Sequence, residues 1–165
     1  MILSIDPGVR QAGAALFENG ELTTAWLSKG DKEIAGLVTW PIATAWAVFE
    51  DIGAHTIPDA IQHLVMEIPY IYPAQFQKGD QQDIIQVALM NGALAGLFLN
   101  VPGAEIVTYL PKQWKGQVPK DTMIERIKSK LDTEELSRVQ IVEDKKHQKD
   151  IWDAVGVGLK YVGRL

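Results

Sequence analysis

Short apolar segments separated by turn residues make up the beginning of the chain. Residues 2–5 are apolar or β-branched apart from one serine and stop at an Asp-Pro-Gly turn, which predicts a buried strand with Asp6 at its end. Residues 13–17 and 22–27 predict two more strands, and the Asn19-Gly20 pair between them is a strong hairpin signal. We therefore expect the chain to open with three antiparallel strands.

Strands and helices alternate in the rest of the pattern. In order, it predicts a helix over 42–52 limited by prolines 41 and 58, a strand over 64–68, a helix from about 80 to 100, a strand over 105–110, and helices over 122–131 and 151–162. Parallel neighbours need a crossover, so this order predicts an α/β fold, a five-stranded mixed sheet flanked by helices. A chain of 165 residues suits one domain over 1–165.

Four carboxylates stand out against this pattern. Asp6 and Glu67 each lie at the carboxyl end of a predicted strand, where ligand sites of such sheets are found. Asp150 and Asp153 share one face of the last helix because they are three residues apart. Acids that converge in a cleft repel each other, and Mg²⁺ or Mn²⁺ relieves that repulsion with oxygen ligands. When two such ions lie about 3.5–4 Å apart, one can activate water and the other can stabilise the leaving oxygen of a phosphodiester. The four acids therefore predict phosphodiester hydrolysis.

Each acid also has an ordinary structural interpretation. Asp6 before Pro-Gly is a common turn residue, and an Asp pair in the first turn of a helix complements its dipole by about 0.3–1 kcal/mol. Glu67 is harder to explain this way, because a carboxylate on an apolar strand needs a partner. The four acids together are more informative than any one of them.

Composition and charge restrict the kinds of site, the cellular compartment and the binding partners that we expect. The chain has no cysteine, which excludes disulfides, thiolate zinc sites and cysteine nucleophiles and favours an intracellular protein. No signal peptide or membrane span is predicted, so we expect a cytoplasmic protein. The net charge is −5, but residues 1–110 hold 4 basic and 12 acidic side chains whereas residues 111–165 hold 12 and 9. A basic patch able to bind phosphates is therefore compatible with an acidic protein.

Several motifs, in this order along the chain, resemble those of the RuvC-type Holliday junction resolvases. They are Ile5-Asp6-Pro7-Gly8 followed by Gly13, Met66-Glu67, the segment YLPKQWKG over 109–116, and Asp150-x-x-Asp153-Ala154. The chain looks like a short phage or bacterial member of that family, with residues 28–60 the least similar part. The resemblance implies an RNase H-like fold, a homodimer, and an endonuclease that resolves four-way DNA junctions by symmetrical nicks.

The resemblance also implies roles for individual residues. The metal ligands, and with them the catalytic set, would be Asp6, Glu67, Asp150 and Asp153 around two Mg²⁺ or Mn²⁺ ions, with Lys115 as a further catalytic residue. In the alternative alignment with the family, His147 and Asp150 would be the metal-binding pair of the last helix. Contacts to DNA would come from Tyr70, Tyr72, Phe76, Lys112, Lys115, Lys120 and His147, the aromatic residues by stacking on bases. Gly92-x-x-x-Gly96 would lie at the dimer contact, although close packing within the monomer explains it as well.

Other functions fit the same residues. The substrate could be a replication fork, another branched DNA or an RNA–DNA hybrid. A non-catalytic DNA-binding module would use the basic last third of the chain, but four unneutralised acids would repel DNA. A nucleotide phosphotransferase needs a second lobe, for which 165 residues leave little space.

Overall fold

The computed structural model describes residues 1–70 and 80–165. Its sheet has five strands, β1 (Ile2–Asp6), β2 (Gln11–Glu18), β3 (Glu21–Lys29), β4 (His63–Glu67) and β5 (Glu105–Tyr109). Their spatial order is β3-β2-β1-β4-β5. The first three strands are antiparallel, while β4 runs parallel to β1 and β5 parallel to β4. The predicted five-stranded mixed sheet is confirmed.

The hairpin between β2 and β3 turns at Asn19-Gly20. Asn19 has a φ of 51° and Gly20 a φ of 86°, so both central residues are left-handed. Asparagine and glycine are the residues that tolerate this backbone, and the turn's twist matches that of the strands it joins. The pairing of Glu18 with Glu21 places the turn where the sequence predicts it.

Seven helices cover the two faces of the sheet in the described ranges. They are α1 (Lys32–Leu37), α2 (Trp40–His55), α3 (Gln81–Phe98), α4 (Pro111–Trp114), α5 (Lys120–Lys128), α6 (Thr133–Ser137) and α7 (Lys145–Tyr161), with a 3₁₀ turn at Pro58–Ala60. No helix within these ranges is both long and apolar enough to span a bilayer. The sequence pattern misses α1, α4 and α6, because helices of four to six residues show almost no periodicity.

The observed bounds of three helices differ from the predicted ones. Pro41 lies in the first turn of α2 and does not interrupt it, because an N-terminal proline has no intrahelical hydrogen bond to lose. The helix predicted over 122–131 starts at Lys120 and ends at Lys128. The last helix starts at Lys145, six residues before the predicted start, because the Asp144 side chain caps it by accepting from the Lys146 N–H.

Strand alternation assigns each side chain of β1 and β4 to one face. Leu3 and Ile5 lie in the cluster of buried residues that includes α2 and α3, as do Leu64 and Met66. Val65 lies in the opposite cluster, with α5 and α7. Successive side chains of a strand point to opposite faces, so Asp6 and Glu67 point to the face that α7 covers.

Helix α7 lies unusually close to β1 and β2. A Cβ on Gly13 would lie 2.0 Å from the backbone oxygen of Asp150, and one on Gly158 would lie 2.1 Å from the Phe17 ring. The buried Ser4 hydroxyl donates to the Ala154 backbone oxygen at 2.9 Å. Glycines at these contacts therefore fix the distance between the sheet and the helix that carries two of the predicted acids.

Candidate active site

The four predicted carboxylates meet at the carboxyl ends of β1 and β4. Ile5 pairs with Met66 across the parallel strands, so Asp6 and Glu67 follow them side by side. Asp6 itself pairs with Gly13, the residue that α7 approaches at the Asp150 backbone. The sheet thus brings Asp6 and Glu67 under the helix face that carries the other two acids.

Asp150 and Asp153 lie in the second and third turns of α7, not in its first turn. The dipole interpretation of this pair is therefore wrong, because dipole effects fade within the first turn. Only 4% of the Asp153 side chain is exposed, and its Oδ1 has no hydrogen-bond partner within 1–70 and 80–165. Asp150 is less buried, and its Oδ2 accepts a hydrogen bond from Gln11 Nε2 at 2.8 Å.

Two lysine ammonium groups lie among these acids. Lys115 Nζ is 2.9 Å from Glu67 Oε2 and 3.8 Å from Asp153 Oδ2. Lys120 Nζ is 2.9 Å from Asp153 Oδ2 and 4.0 Å from Asp150 Oδ1. Both lysines belong to the predicted phosphate contacts, and in this structure they neutralise the acids instead.

The charged groups of the pocket change one another's pKa values. Burial raises the pKa of Asp6 well above its ordinary value, and the carboxylates of Asp153, Glu67 and Asp150 raise it further, while Lys115 opposes them. Burial also raises the pKa of Asp150, against the lowering effects of the Gln11 hydrogen bond and of Lys120. The ammonium groups behave oppositely, because the facing carboxylates raise the pKa values of Lys115 and Lys120 despite the lowering effect of burial. The pocket therefore favours bound positive charge.

The donor chemistry of this pocket fits a hard divalent cation. It consists of carboxylate oxygens, one of which is buried without a hydrogen-bond partner among the described residues. In residues 1–70 and 80–165, however, no three His, Asp or Glu side chains already converge closely enough to hold a metal ion. Since the lysine ammonium groups lie between the acids, a cation can bind only when they move aside or share the carboxylates.

Two positioning residues escaped the sequence interpretation. Trp114, 6% exposed, donates from Nε1 to Glu67 Oε2 at 2.6 Å. Gln11 holds Asp150 from β2, 139 residues away along the chain. Trp114 lies within the 109–116 segment, so the sequence offered a signal for it, whereas strand parity alone places Gln11 on the same face as Gly13.

The predicted DNA contacts fall into different places. Tyr70 is 39% exposed, and Lys112 Nζ lies 5.5 Å from its ring centroid, beside the ends of β4 and β5. Tyr72 and Phe76 lie outside the described residues. His147 is one turn before Asp150, where its Nδ1 is 3.5 Å from an Asp144 oxygen. The structure thus groups Asp150 with Asp153 and the strand acids, and leaves His147 at the edge of the pocket.

Three solved structures with a similar fold provide the comparison for this chain. Thermus thermophilus RuvC in complex with a Holliday junction substrate superposes with a TM-score of 0.61 at 15% identity, covering 96% of this chain and 89% of that one. A second Thermus thermophilus RuvC structure gives 0.58 at 16% identity, with 96% and 90% covered. The yeast mitochondrial Holliday junction resolvase Ydc2 gives 0.54 at 10% identity, with 99% and 79% covered.

The resemblance to RuvC-type proteins that the sequence motifs suggest is thus confirmed at the level of the fold, which is α/β and RNase H-like. No protein-family model matches the sequence, and no curated protein matches it. At identities of 10–16% the likeness concerns the arrangement of strands and helices, so function has to be argued from the site.

Proposed function

We propose that this protein is a divalent-metal-dependent endonuclease that resolves four-way DNA junctions by hydrolysing a phosphodiester in each of two symmetrically related strands. The observation that carries the proposal is that Asp6, Glu67, Asp150 and Asp153 lie near one another at one end of the sheet, with Lys115 and Lys120 paired to them. The solved structures with this fold include RuvC bound to a Holliday junction substrate, which supports branched DNA as the substrate class.

The four carboxylates would hold the Mg²⁺ or Mn²⁺ ions, since they supply only oxygen donors and one of those oxygens has no hydrogen-bond partner in the part of the chain that the structure describes. Two such ions, when bound, supply an activated water and charge stabilisation at the leaving oxygen. Trp114 fixes the Glu67 carboxylate and Gln11 fixes that of Asp150. These neutral donors orient the carboxylates without competing with a cation for charge.

Lys115 and Lys120 have a second role when substrate is bound. Their ammonium groups pair with carboxylates in the free protein. With cations held by those carboxylates, the ammonium groups would be available to phosphate oxygens, where they would stabilise the negative charge that develops during hydrolysis. Lys115 is the more enclosed of the two, with 27% of its side chain exposed against 45% for Lys120. We therefore assign the catalytic role to Lys115 and strand binding to Lys120.

Recognition of the junction would use the edge beside the ends of β4 and β5. Tyr70 presents an exposed ring there with the Lys112 ammonium close to it. An aromatic ring can stack on an unpaired base at a branch point, with about 1–3 kcal/mol per base. Tyr72 and Phe76 remain predicted contacts of the same kind, and His147 a predicted phosphate contact.

Helix α3 supplies a surface for a homodimer. Its exposed face carries Ile85, Leu89, Gly92, Gly96 and the adjoining Leu99. A Cβ on Gly92 or Gly96 would meet no atom within 4 Å in the described part of the chain, so packing against those residues does not account for these glycines. Two copies joined through this face would present two acid pockets related by symmetry, which suits paired nicks in a four-way junction.

The test uses isosteric variants of the two strand acids. Asp6→Asn and Glu67→Gln should lower cleavage of a synthetic four-way junction below detection in Mg²⁺, because each removes a charged ligand, while junction affinity in Ca²⁺ stays within about threefold of the parent value. Asp59→Asn, in an exposed 3₁₀ turn, is the matched control and should cleave normally. Full cleavage by both strand variants would refute the proposal.

The same experiment separates the other candidate functions. Preferential cleavage of a fork or an RNA–DNA hybrid over the junction would keep the chemistry and change the substrate. Junction binding without cleavage by the parent protein, together with no heat of Mn²⁺ binding in titration calorimetry, would indicate a non-catalytic DNA-binding module.

A further inference from the structure

A cavity of about 650 Å³ opens beside the acid pocket. Asp6 and Asp150 form part of its wall, whereas Glu67, Asp153 and the two lysines paired with them do not. The cavity therefore extends the pocket away from Lys115 and Lys120. Its remaining wall comes mainly from the loop after β1, from the start of α2, from α3 and from the first turns of α7.

Arg10 is an exposed cation of this wall, and an aromatic ring supports it. Its guanidinium lies 5.2 Å from the centroid of the Trp40 ring, which is half-buried at the start of α2. No carboxylate within 1–70 and 80–165 forms an ion pair with Arg10. Stacking on an indole holds a guanidinium plane in place while leaving its N–H donors directed outward.

The backbone around Arg10 is held at several points. The Thr44 hydroxyl donates to the Val9 oxygen at 2.9 Å, and the Gly30 N–H donates to the Arg10 oxygen at 3.0 Å. A Cβ on Gly8 would lie 2.3 Å from the Gln11 backbone oxygen, so this turn admits only glycine without a shift. The loop that carries Arg10 is thus tied to α2 and to the end of β3, and Arg10 is not a side chain on a loose segment.

Two more cationic or titratable side chains face the same space. Lys146 and His147 precede Asp150 by four and three residues on α7, which puts them on its side of the helix. Lys146 is exposed, and His147 is partly paired with Asp144. Asp83 of α3 is an acid on the cavity wall besides Asp6 and Asp150. The wall is therefore mixed in charge, and its three basic side chains line the same cavity as Asp6 and Asp150.

We propose that Arg10, supported by Trp40 and assisted by Lys146 and His147, forms a second phosphate-binding wall that holds the nucleic-acid strand next to the phosphodiester being cut. The proposal rests on the proposed function, since it needs a strand that crosses the acid pocket. A strand placed there continues beyond the scissile phosphate, and the acids repel its neighbouring phosphates. Cations on the side away from Lys115 and Lys120 offset that repulsion and fix the strand's direction.

The test compares Arg10→Gln with Arg126→Gln, which removes the same charge from an exposed position on α5 that does not line the cavity. The probe is a fluorescent four-way DNA junction, with linear duplex DNA as the second probe, titrated in Ca²⁺ at several salt concentrations. Loss of one phosphate contact should weaken binding about eightfold at about 0.1 M salt and lower the slope of log affinity against log salt by about 0.9. Arg126→Gln should change neither value.

Trp40→Leu provides the second readout. It keeps the charge but removes the support, so it should weaken binding less than Arg10→Gln, leave the salt slope within about 0.3 of the parent value, and add no further loss in the Arg10→Gln background. Equal behaviour of Arg10→Gln and Arg126→Gln in a protein that binds and cuts junctions would overturn the second wall and leave the proposed function intact. A parent protein that neither binds nor cuts any of the probes would overturn both.

Discussion

The close approach of α7 to the sheet makes Gly13→Ala a sharp test of how the site is assembled. The new Cβ would lie 2.0 Å from the Asp150 backbone oxygen and 2.9 Å from the Ile151 nitrogen, whereas ordinary contacts begin at 3.4 Å. The helix and β2 must therefore separate by more than about 1 Å at this point, since both are backbone in a close-packed interior. Asp150 and Asp153 move with the helix, away from Asp6.

Two magnitudes follow from that displacement. Overpacking of this kind costs about 1–3 kcal/mol in the free energy of unfolding, so Gly13→Ala should fold with a lowered Tm. A shift of about 1 Å in a catalytic group can cost on the order of 100-fold in rate, so junction cleavage should fall far more than stability does. The assay is single-turnover cleavage of a four-way junction in Mg²⁺, alongside thermal unfolding of the same preparation.

Gly53→Ala is the matched control for this prediction. Gly53 lies in α2, and no atom of the described residues lies within 4 Å of where the methyl group would go. This variant should therefore be as stable as the parent or up to about 1 kcal/mol more stable, and should cleave normally. If Gly13→Ala unfolds at the parent Tm and cleaves within about threefold of the parent rate, the contact does not position the acids and the reasoning is wrong.

The two remaining predictions concern the charges of the pocket. Lys120→Met should destabilise the protein in a chelator by about 1–2 kcal/mol, because it leaves Asp153 buried without its closest ammonium group. Mg²⁺ should then raise the Tm of this variant more than the Tm of the parent, and equal Mg²⁺ shifts would contradict this reasoning. Asp6→Asn should be more stable than the parent near neutral pH in chelator. Burial and neighbouring acids raise the pKa of Asp6 in the folded protein above its ordinary value of 3.8. The stability that the neutral carboxyl contributes is therefore present at acid pH and is lost as the pH rises through that folded pKa. Thermal unfolding across pH measures the difference, which should shrink towards pH 4, and a variant less stable than the parent at neutral pH would refute it.

Local chemistry explains what the sequence determined. The Asn19-Gly20 turn fixes the hairpin, and the strand pattern fixes the five strands and the position of Asp6 and Glu67 at strand ends. Both are readable from the sequence because turn conformation and a period of two depend on residues close in sequence. The i, i+3 spacing put Asp150 and Asp153 on one face of the last helix, and the motif resemblance pointed to the fold that the comparisons support. The roles of Tyr72 and Phe76 stay predictions.

Tertiary packing decided the composition of the site. Lys115 and Lys120 lie among the carboxylates, Trp114 holds Glu67 and Gln11 holds Asp150, and none of these contacts is visible in a local pattern. The contacts to Asp150 and Asp153 depend on glycine at position 13, which lets a helix from the end of the chain lie directly on a strand from its beginning. Periodicity reports which face of an element is buried, whereas the distance between two packed elements depends on the side chains that both of them place at the contact.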